Sequence, residues 1–154
     1  DTGQLSADIP LLVGGDWNCP SHLDWTVDAS RVYKRRRALP LPVSTAMQSA
    51  GFTDTFRRLY PNPVQRPGIT WSPMFRTKVV DDTQIEQGFE RIDRLYLKNP
   101  LSPKGEWVLR PVAGHVLPIV WEDDSIAVVD RQFPSDHGAV VIDLTWARAS
   151  SEIE

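Results

Sequence analysis

Three short apolar runs, each with a carboxylate, amide or imidazole at one end, constrain this chain more than any other feature. Residues 9–13 lead into Gly15-Asp16-Trp17-Asn18, and a second run reads Arg91-Ile92-Asp93-Arg94-Leu95. In the third, Phe133-Pro134-Ser135-Asp136-His137 opens onto Ala139-Val140-Val141-Ile142. Near-continuous apolar runs this short read as buried strands. Polar side chains at the ends of such strands can meet at one place on a sheet, however far apart they lie in sequence.

Within residues 91–97 the two-residue period puts Asp93, Leu95 and Leu97 on one face and Ile92, Arg94 and Tyr96 on the other. Asp93 is thus expected on a core-facing side, where an unpartnered charge is costly. His137 is the candidate partner, since a carboxylate bonded to one imidazole nitrogen fixes the tautomer and favours the protonated ring. The competing reading is an aspartate that binds a backbone amide at a strand end. Asp16 and Asn18 lie two apart, so in extended backbone their side chains point the same way. That pair can orient a water and donate to phosphoryl oxygens, or it is simply a tight turn, which Asp, Asn and Gly all favour.

The remaining chain is read more coarsely. Residues 20–42 are polar and punctuated by proline, a long loop with about one helical turn. Ser44 is expected to cap a short helix that Gly51 stops, and Thr53 to cap a second over residues 54–59. Short strands are expected at 68–71, 91–97, 107–117 (interrupted near Pro111 and Gly114), 126–129 and 139–144. Residues 72–88 show no clear periodicity, and 147–154 read as a terminal tail after a single domain over 1–146. A chain of 154 residues with 41% apolar content and six tryptophans is enough for one folded core. No apolar stretch approaches the roughly 18–20 residues that a membrane helix needs, so no transmembrane segment is expected.

Cys19 is the only cysteine, which excludes an internal disulfide and a thiolate metal cluster. A bound divalent ion therefore has oxygen ligands or His22, His115 and His137 to draw on. The net charge of −3 gives no bulk attraction to nucleic acid. The basic run Lys34-Arg35-Arg36-Arg37 is either a solvated loop or a patch that receives a phosphate-rich substrate. Trp17, Trp71, Trp107, Trp121 and Trp146 are core residues or stacking platforms, with Trp17 the best cleft candidate. His115 reads as a surface or strand-end residue, and Ser21-His22-Leu23-Asp24-Trp25 as packing or as cleft lining.

Taken in order, Leu12-Val13-Gly14-Gly15-Asp16-Trp17-Asn18, Gly51-Phe52-Thr53-Asp54-Thr55-Phe56, Gly68-Ile69-Thr70-Trp71-Ser72, Arg91-Ile92-Asp93 and Ser135-Asp136-His137 resemble the endonuclease/exonuclease/phosphatase superfamily. That group includes pancreatic deoxyribonuclease, abasic-site endonucleases, bacterial sphingomyelinases and inositol-polyphosphate phosphatases. The likeness runs over residues 9–144. It implies an α+β (α/β) fold: the C-terminal half of a four-layer α/β/β/α sandwich, with mostly antiparallel or mixed sheet and short flanking helices.

The same resemblance implies metal-dependent hydrolysis of a phosphoester with Mg²⁺ (or Mn²⁺). By motif, Asp16 aligns and activates the attacking water and Asn18 bonds the phosphoryl oxygens. Asp136, with Asp16, belongs to the metal shell, while His137 meets the scissile phosphate and Asp93 orients it. Trp17, His22, Trp71 and Arg35 are the candidate substrate contacts. The substrate is a nucleic acid, a phospholipid head group or a small phosphorylated molecule.

One departure from the family pattern matters. An Asn, a metal-binding Glu and a further His are expected on strands before the Asp16 segment, and only fifteen residues precede it here. The chain is therefore expected to be completed by an N-terminal half, by a companion chain or by a second copy in a homo-oligomer. Alone, it is expected to bind metal weakly. The alternative is a non-catalytic half-domain that serves as a binding or assembly module.

Overall fold

A computed structural model describes residues 9–32, 39–71, 77–80, 83–86, 90–100, 107–117 and 134–149. Helices and antiparallel sheets mix in an α+β arrangement. Strands β1 (Leu11–Asp16), β2 (Thr53–Asp54) and β5 (Asp93–Lys98) form one sheet in the order β1-β5-β2. A hairpin joins β3 (Thr77–Val80) to β4 (Thr83–Glu86), and β6 (Trp107–Leu117) pairs with β7 (Ala139–Arg148). Three short helices complete the set: α1 (Val27–Val32), α2 (Pro42–Ser49) and α3 (Thr55–Leu59).

Several sequence expectations shift by a residue or a register for physical reasons. Helix α2 starts on Pro42, whose fixed φ suits the first helical position, so Ser44 lies inside the helix and not at its cap. The Ser44 hydroxyl instead donates to the carbonyl of Leu41 at 3.1 Å. Gly51, at φ 84°, ends the helix as expected. There Phe52 N–H donates to Met47 O at 3.0 Å and Gly51 N–H to Gln48 O at 2.9 Å, the paired bonds of a Schellman motif. Helix α3 is capped by Asp54, not Thr53: the Asp54 carboxylate accepts from Arg57 N–H at 3.1 Å.

Residues 68–71 make no strand. Trp71 forms isolated bridges, to Glu90 and to His137. The expected break in 107–117 is a bulge within one strand, between Pro111 and Ala113, because proline has no amide to donate to the ladder. Strand β7 runs past the expected 139–144 to Arg148, since Trp107, Val108 and Leu109 still pair with its end. Part of 72–88, expected to be irregular, is the β3–β4 hairpin. The expected strand at 126–129 lies outside the described residues.

Strand β1 is the largest departure. Its apolar run was expected to be buried, yet Leu12 is 47% and Val13 38% exposed, with Ile9 beside them at 49%. It ends the sheet and pairs, among the described residues, with β5 alone. The deeper face of β5 is also the one opposite to expectation. Ile92, Arg94 and Tyr96 are all buried, whereas on the expected face Leu97 is buried but Asp93 and Leu95 are only half-buried. Arg94 tolerates burial because Nη1 donates to Cys19 O at 2.6 Å and its guanidinium lies over the rings of Trp17 and Tyr96.

The core behind β5 is partly ionic. Phe56, Ile69, Ile92, Tyr96 and Leu97 share it with the buried Asp24, Asp54, Arg57 and Arg91. Arg91 Nη1 and Nη2 donate to the two carboxylate oxygens of Asp54, and its Nε reaches Asp24 at 3.1 Å. Arg57 Nε donates to Asp24 at 2.5 Å, and its remaining groups donate to the carbonyls of Tyr60, Arg66 and Pro67. Burial acts to raise the Asp24 carboxyl, but Arg91 and Arg57 outweigh it and hold the group below the usual range. Two carboxylates and two guanidiniums thus balance in charge, which is how such groups persist away from water.

Candidate active site

Antiparallel pairing of β1 with β5 sets Asp16 directly opposite Asp93 at the end of the sheet. Like charges in facing positions repel. The partner that can offset this is an imidazole: His137 Nδ1 lies 2.8 Å from Asp93 Oδ2. The hydrogen bond to Asp93 raises the His137 pKa above its ordinary value, burial works weakly against this, and the charges of Asp93, Asp16 and Asp136 add to the rise. Asp93 and His137, 44 residues apart, are therefore joined as the sequence led one to expect.

Each of Asp16, Asp93 and His137 offers one donor atom, and the three atoms lie within 4.8 Å of one another. Asp16 is exposed while the other two are half-buried, so the cluster opens to solvent on the β1 side. Two carboxylates and an imidazole make a donor set suited to a hard divalent cation that keeps water or substrate oxygens in its remaining positions. The same set can hold a water against an electron-poor phosphorus.

Not every candidate joins the cluster. Asn18 follows the end of β1 at φ 50°, and its N–H donates to Asp16 Oδ1 at 2.8 Å. The backbone has turned there, so the expected parallel display of the two side chains does not apply. Asp136 is exposed and stands outside the group of converging donor atoms. It acts on His137 through its charge.

Trp17 is bound into the sheet: its Nε1 donates to Arg94 O at 3.3 Å and its ring meets Tyr96 nearly edge-on, 5.1 Å between centroids. Trp71 does reach the site, its ring 4.9 Å from that of His137. His22 is committed elsewhere. Its Nδ1 lies 2.8 Å from Ser44 Oγ and its Nε2 2.7 Å from Gln48 Oε1, both on α2, so neither nitrogen is offered to a phosphate. Its segment follows the packing alternative, with Asp24 anchored by Arg57 and Arg91. His115 is exposed within β6, and Arg35 and Trp121 lie outside the described residues.

Two contributors escaped the sequence reading. Arg91, two residues before Asp93, is buried and clamps Asp24 and Asp54. A charge within an apolar strand was the available signal, and it was read only for Asp93. Thr70 is fully buried, and its hydroxyl accepts from the backbone N–H groups of Ile92 and Asp93 at 2.9 and 3.0 Å.

No protein-family profile matches the chain. No solved structure matches it either. It is 34% identical over 139 residues to an uncharacterized protein of Caenorhabditis elegans, an alignment covering 90% of this chain and 42% of that protein. The chain thus spans about two fifths of the length of this relative.

Proposed function

We propose that this chain carries part of the active site of a divalent-metal-dependent phosphoester hydrolase of the endonuclease/exonuclease/phosphatase type. The observation that carries the reading is the meeting of Asp16, Asp93 and His137 within 4.8 Å, from three segments distant in sequence. Phosphoester cleavage needs an oriented water, neutralised phosphoryl oxygens and a stabilised leaving group. Asp16, exposed at the end of β1, orients the water and accepts its proton. His137, whose protonated form Asp93 favours, donates to a phosphoryl oxygen or to the departing oxygen. Asp93 fixes the ring so that its other nitrogen faces substrate.

Mg²⁺ or Mn²⁺ would suit the two carboxylates, with Asp16 as its principal anchor and Asp93 beside it, while the protonated His137 is kept for the phosphoryl group. When bound, such an ion neutralises charge on the phosphoryl group. The ligand count available here leaves positions for another carboxylate. The apolar exposed run of β1 and the greater length of the worm relative support completion of the sheet by a further segment of a longer protein.

The test is hydrolysis of a generic phosphodiester by the full-length protein with Mg²⁺, before and after Asp16→Ala and His137→Ala. Both variants are expected to lose activity by about a hundredfold or more, the usual scale for a base or an electrostatic donor. Full rate in both variants would exclude the assignment. Steep loss of binding with salt marks a nucleic-acid substrate, dependence on vesicles marks a lipid, and neither marks a small phosphorylated molecule.

A further inference from the structure

Thr70 touches neither carboxylate nor imidazole of the cluster by its side chain, yet it ties together the segments that deliver them. Its hydroxyl oxygen accepts from Ile92 N–H at 2.9 Å and Asp93 N–H at 3.0 Å. Its own N–H donates to Glu90 O at 3.1 Å, and its carbonyl accepts from Gly138 N–H at 2.7 Å. Next to it, Trp71 and Glu90 exchange backbone bonds of 2.8 Å in both directions, and Trp71 also bridges to His137. One fully buried residue therefore faces the Asp93 segment on one side and the His137 segment on the other.

The two amides that meet at one oxygen are informative in themselves. Successive amides of an extended strand point to opposite edges. Convergence of Ile92 and Asp93 on the Thr70 hydroxyl bends the chain just before β5, which sets the direction in which the Asp93 side chain leaves the backbone. We propose that Thr70 is a positioning residue for the Asp93–His137 pair, holding the imidazole where a phosphoryl oxygen must be met. This inference rests on the role given above to that pair. Valine keeps the shape of threonine but removes the acceptor, leaving the two amides without it; serine keeps the oxygen.

The experiment compares the full-length wild type with Thr70→Val and Thr70→Ser by two readouts. Turnover of a generic phosphodiester with Mg²⁺ gives kcat and KM, and proton NMR with ¹⁵N-labelled histidine gives the far-downfield Nδ1 proton of His137. Thr70→Val is expected to lower kcat about tenfold to a hundredfold with KM within about twofold, the scale of a misplaced reacting group. The Nδ1 signal is expected to shift or vanish in it. Thr70→Ser restores both.

A Thr70→Val protein that keeps the signal and the rate, while His137→Ala loses the rate, overturns the positioning role alone. Full rate in His137→Ala overturns the functional reading, and the NMR arm still decides what Thr70 does to the pair. Should Thr70→Val fail to fold, hydrogen exchange of the wild type decides. Protection of the Ile92 and Asp93 amides is expected, and exchange at the rate of an open loop refutes the arrangement.

Discussion

Arg91 grips the carboxylate of Asp54 through two near-parallel bonds, 3.1 Å from Nη1 to Oδ1 and 2.6 Å from Nη2 to Oδ2, just ahead of the strand that begins with Asp93. Asp54 caps α3, and Asp24, the second carboxylate on Arg91, also binds Arg57 of that helix. The site strand and the helix behind it are thus fastened by one ionic knot.

Arg91→Met is expected to destabilise the fold by about 3–5 kcal/mol, because the buried Asp54 loses the guanidinium that grips it and Asp24 loses one of its two. Arg91→Lys recovers little of this, since one ammonium cannot span two carboxylates bidentately. By contrast, Arg31→Ala breaks an exposed pair with Asp28 and is expected to cost below about 1 kcal/mol. Urea unfolding of the three variants measures the difference, and an Arg91→Met midpoint equal to that of Arg31→Ala would refute the knot.

Gly68 and Gly51 both adopt positive φ, but only one is also crowded. A methyl at Gly68 meets the Phe56 ring, a ring flanked by Arg57 and Arg91 at 5.3 and 5.8 Å and unable to retreat without disturbing them. At Gly51 the nearest neighbour is the flexible end of Lys98, at 3.5 Å. Gly68→Ala is expected to cost about 2–4 kcal/mol, backbone strain plus overpacking, and Gly51→Ala about 1–2 kcal/mol from strain alone. Thermal melts of the two variants should differ in that order.

What the sequence disclosed was local in kind. Asp16, Asp93 and His137 were legible because each interrupts or ends an apolar run, where charge requires a reason. The exposure of β1 was not legible, since an apolar run shows that a strand wants cover and not whether cover is present. Arg57 and Arg91 were missed because arginine ordinarily reads as surface. Their burial depends on partners 33, 37 and 67 residues away, which no window of local pattern contains. The cap at Asp54 was misplaced because its neighbour Thr53 has nearly equal chemical claim to the position, and that at Leu41 because Pro42, not a capping side chain, sets where the helix begins.

The raised pKa of His137 predicts a definite dependence of stability on pH. The folded state binds the proton more tightly than the unfolded chain, where the value is near 6.5. The pair with Asp93 therefore stabilises fully below pH 6.5, and that stability drains away as pH rises from there through the higher folded value. Asp93→Asn removes the partner and should flatten this part of the profile. Unfolding free energy measured between pH 5 and 9 for wild type and Asp93→Asn checks it, and a wild-type profile that rises across the window would contradict the pairing.

Metal binding supplies the last test, and it can be read without turnover. Mn²⁺ held by the carboxylates of Asp16 and Asp93 would broaden the NMR signals of nuclei close to it, so the neighbouring His137 ring and the Asp93 amide should fade first in a titration. Asp16→Asn removes the most exposed anionic donor of the three and leaves the Asp93–His137 bond in place. Because a hard cation at such a site depends on one or two carboxylates, that change is expected to weaken Mn²⁺ affinity at least about tenfold. Asp136→Asn, lying outside the converging donors, should weaken it far less, the charge being felt from a distance through solvent. Equal loss in the two variants would move the ion away from Asp93 and toward the loop that carries Asp136.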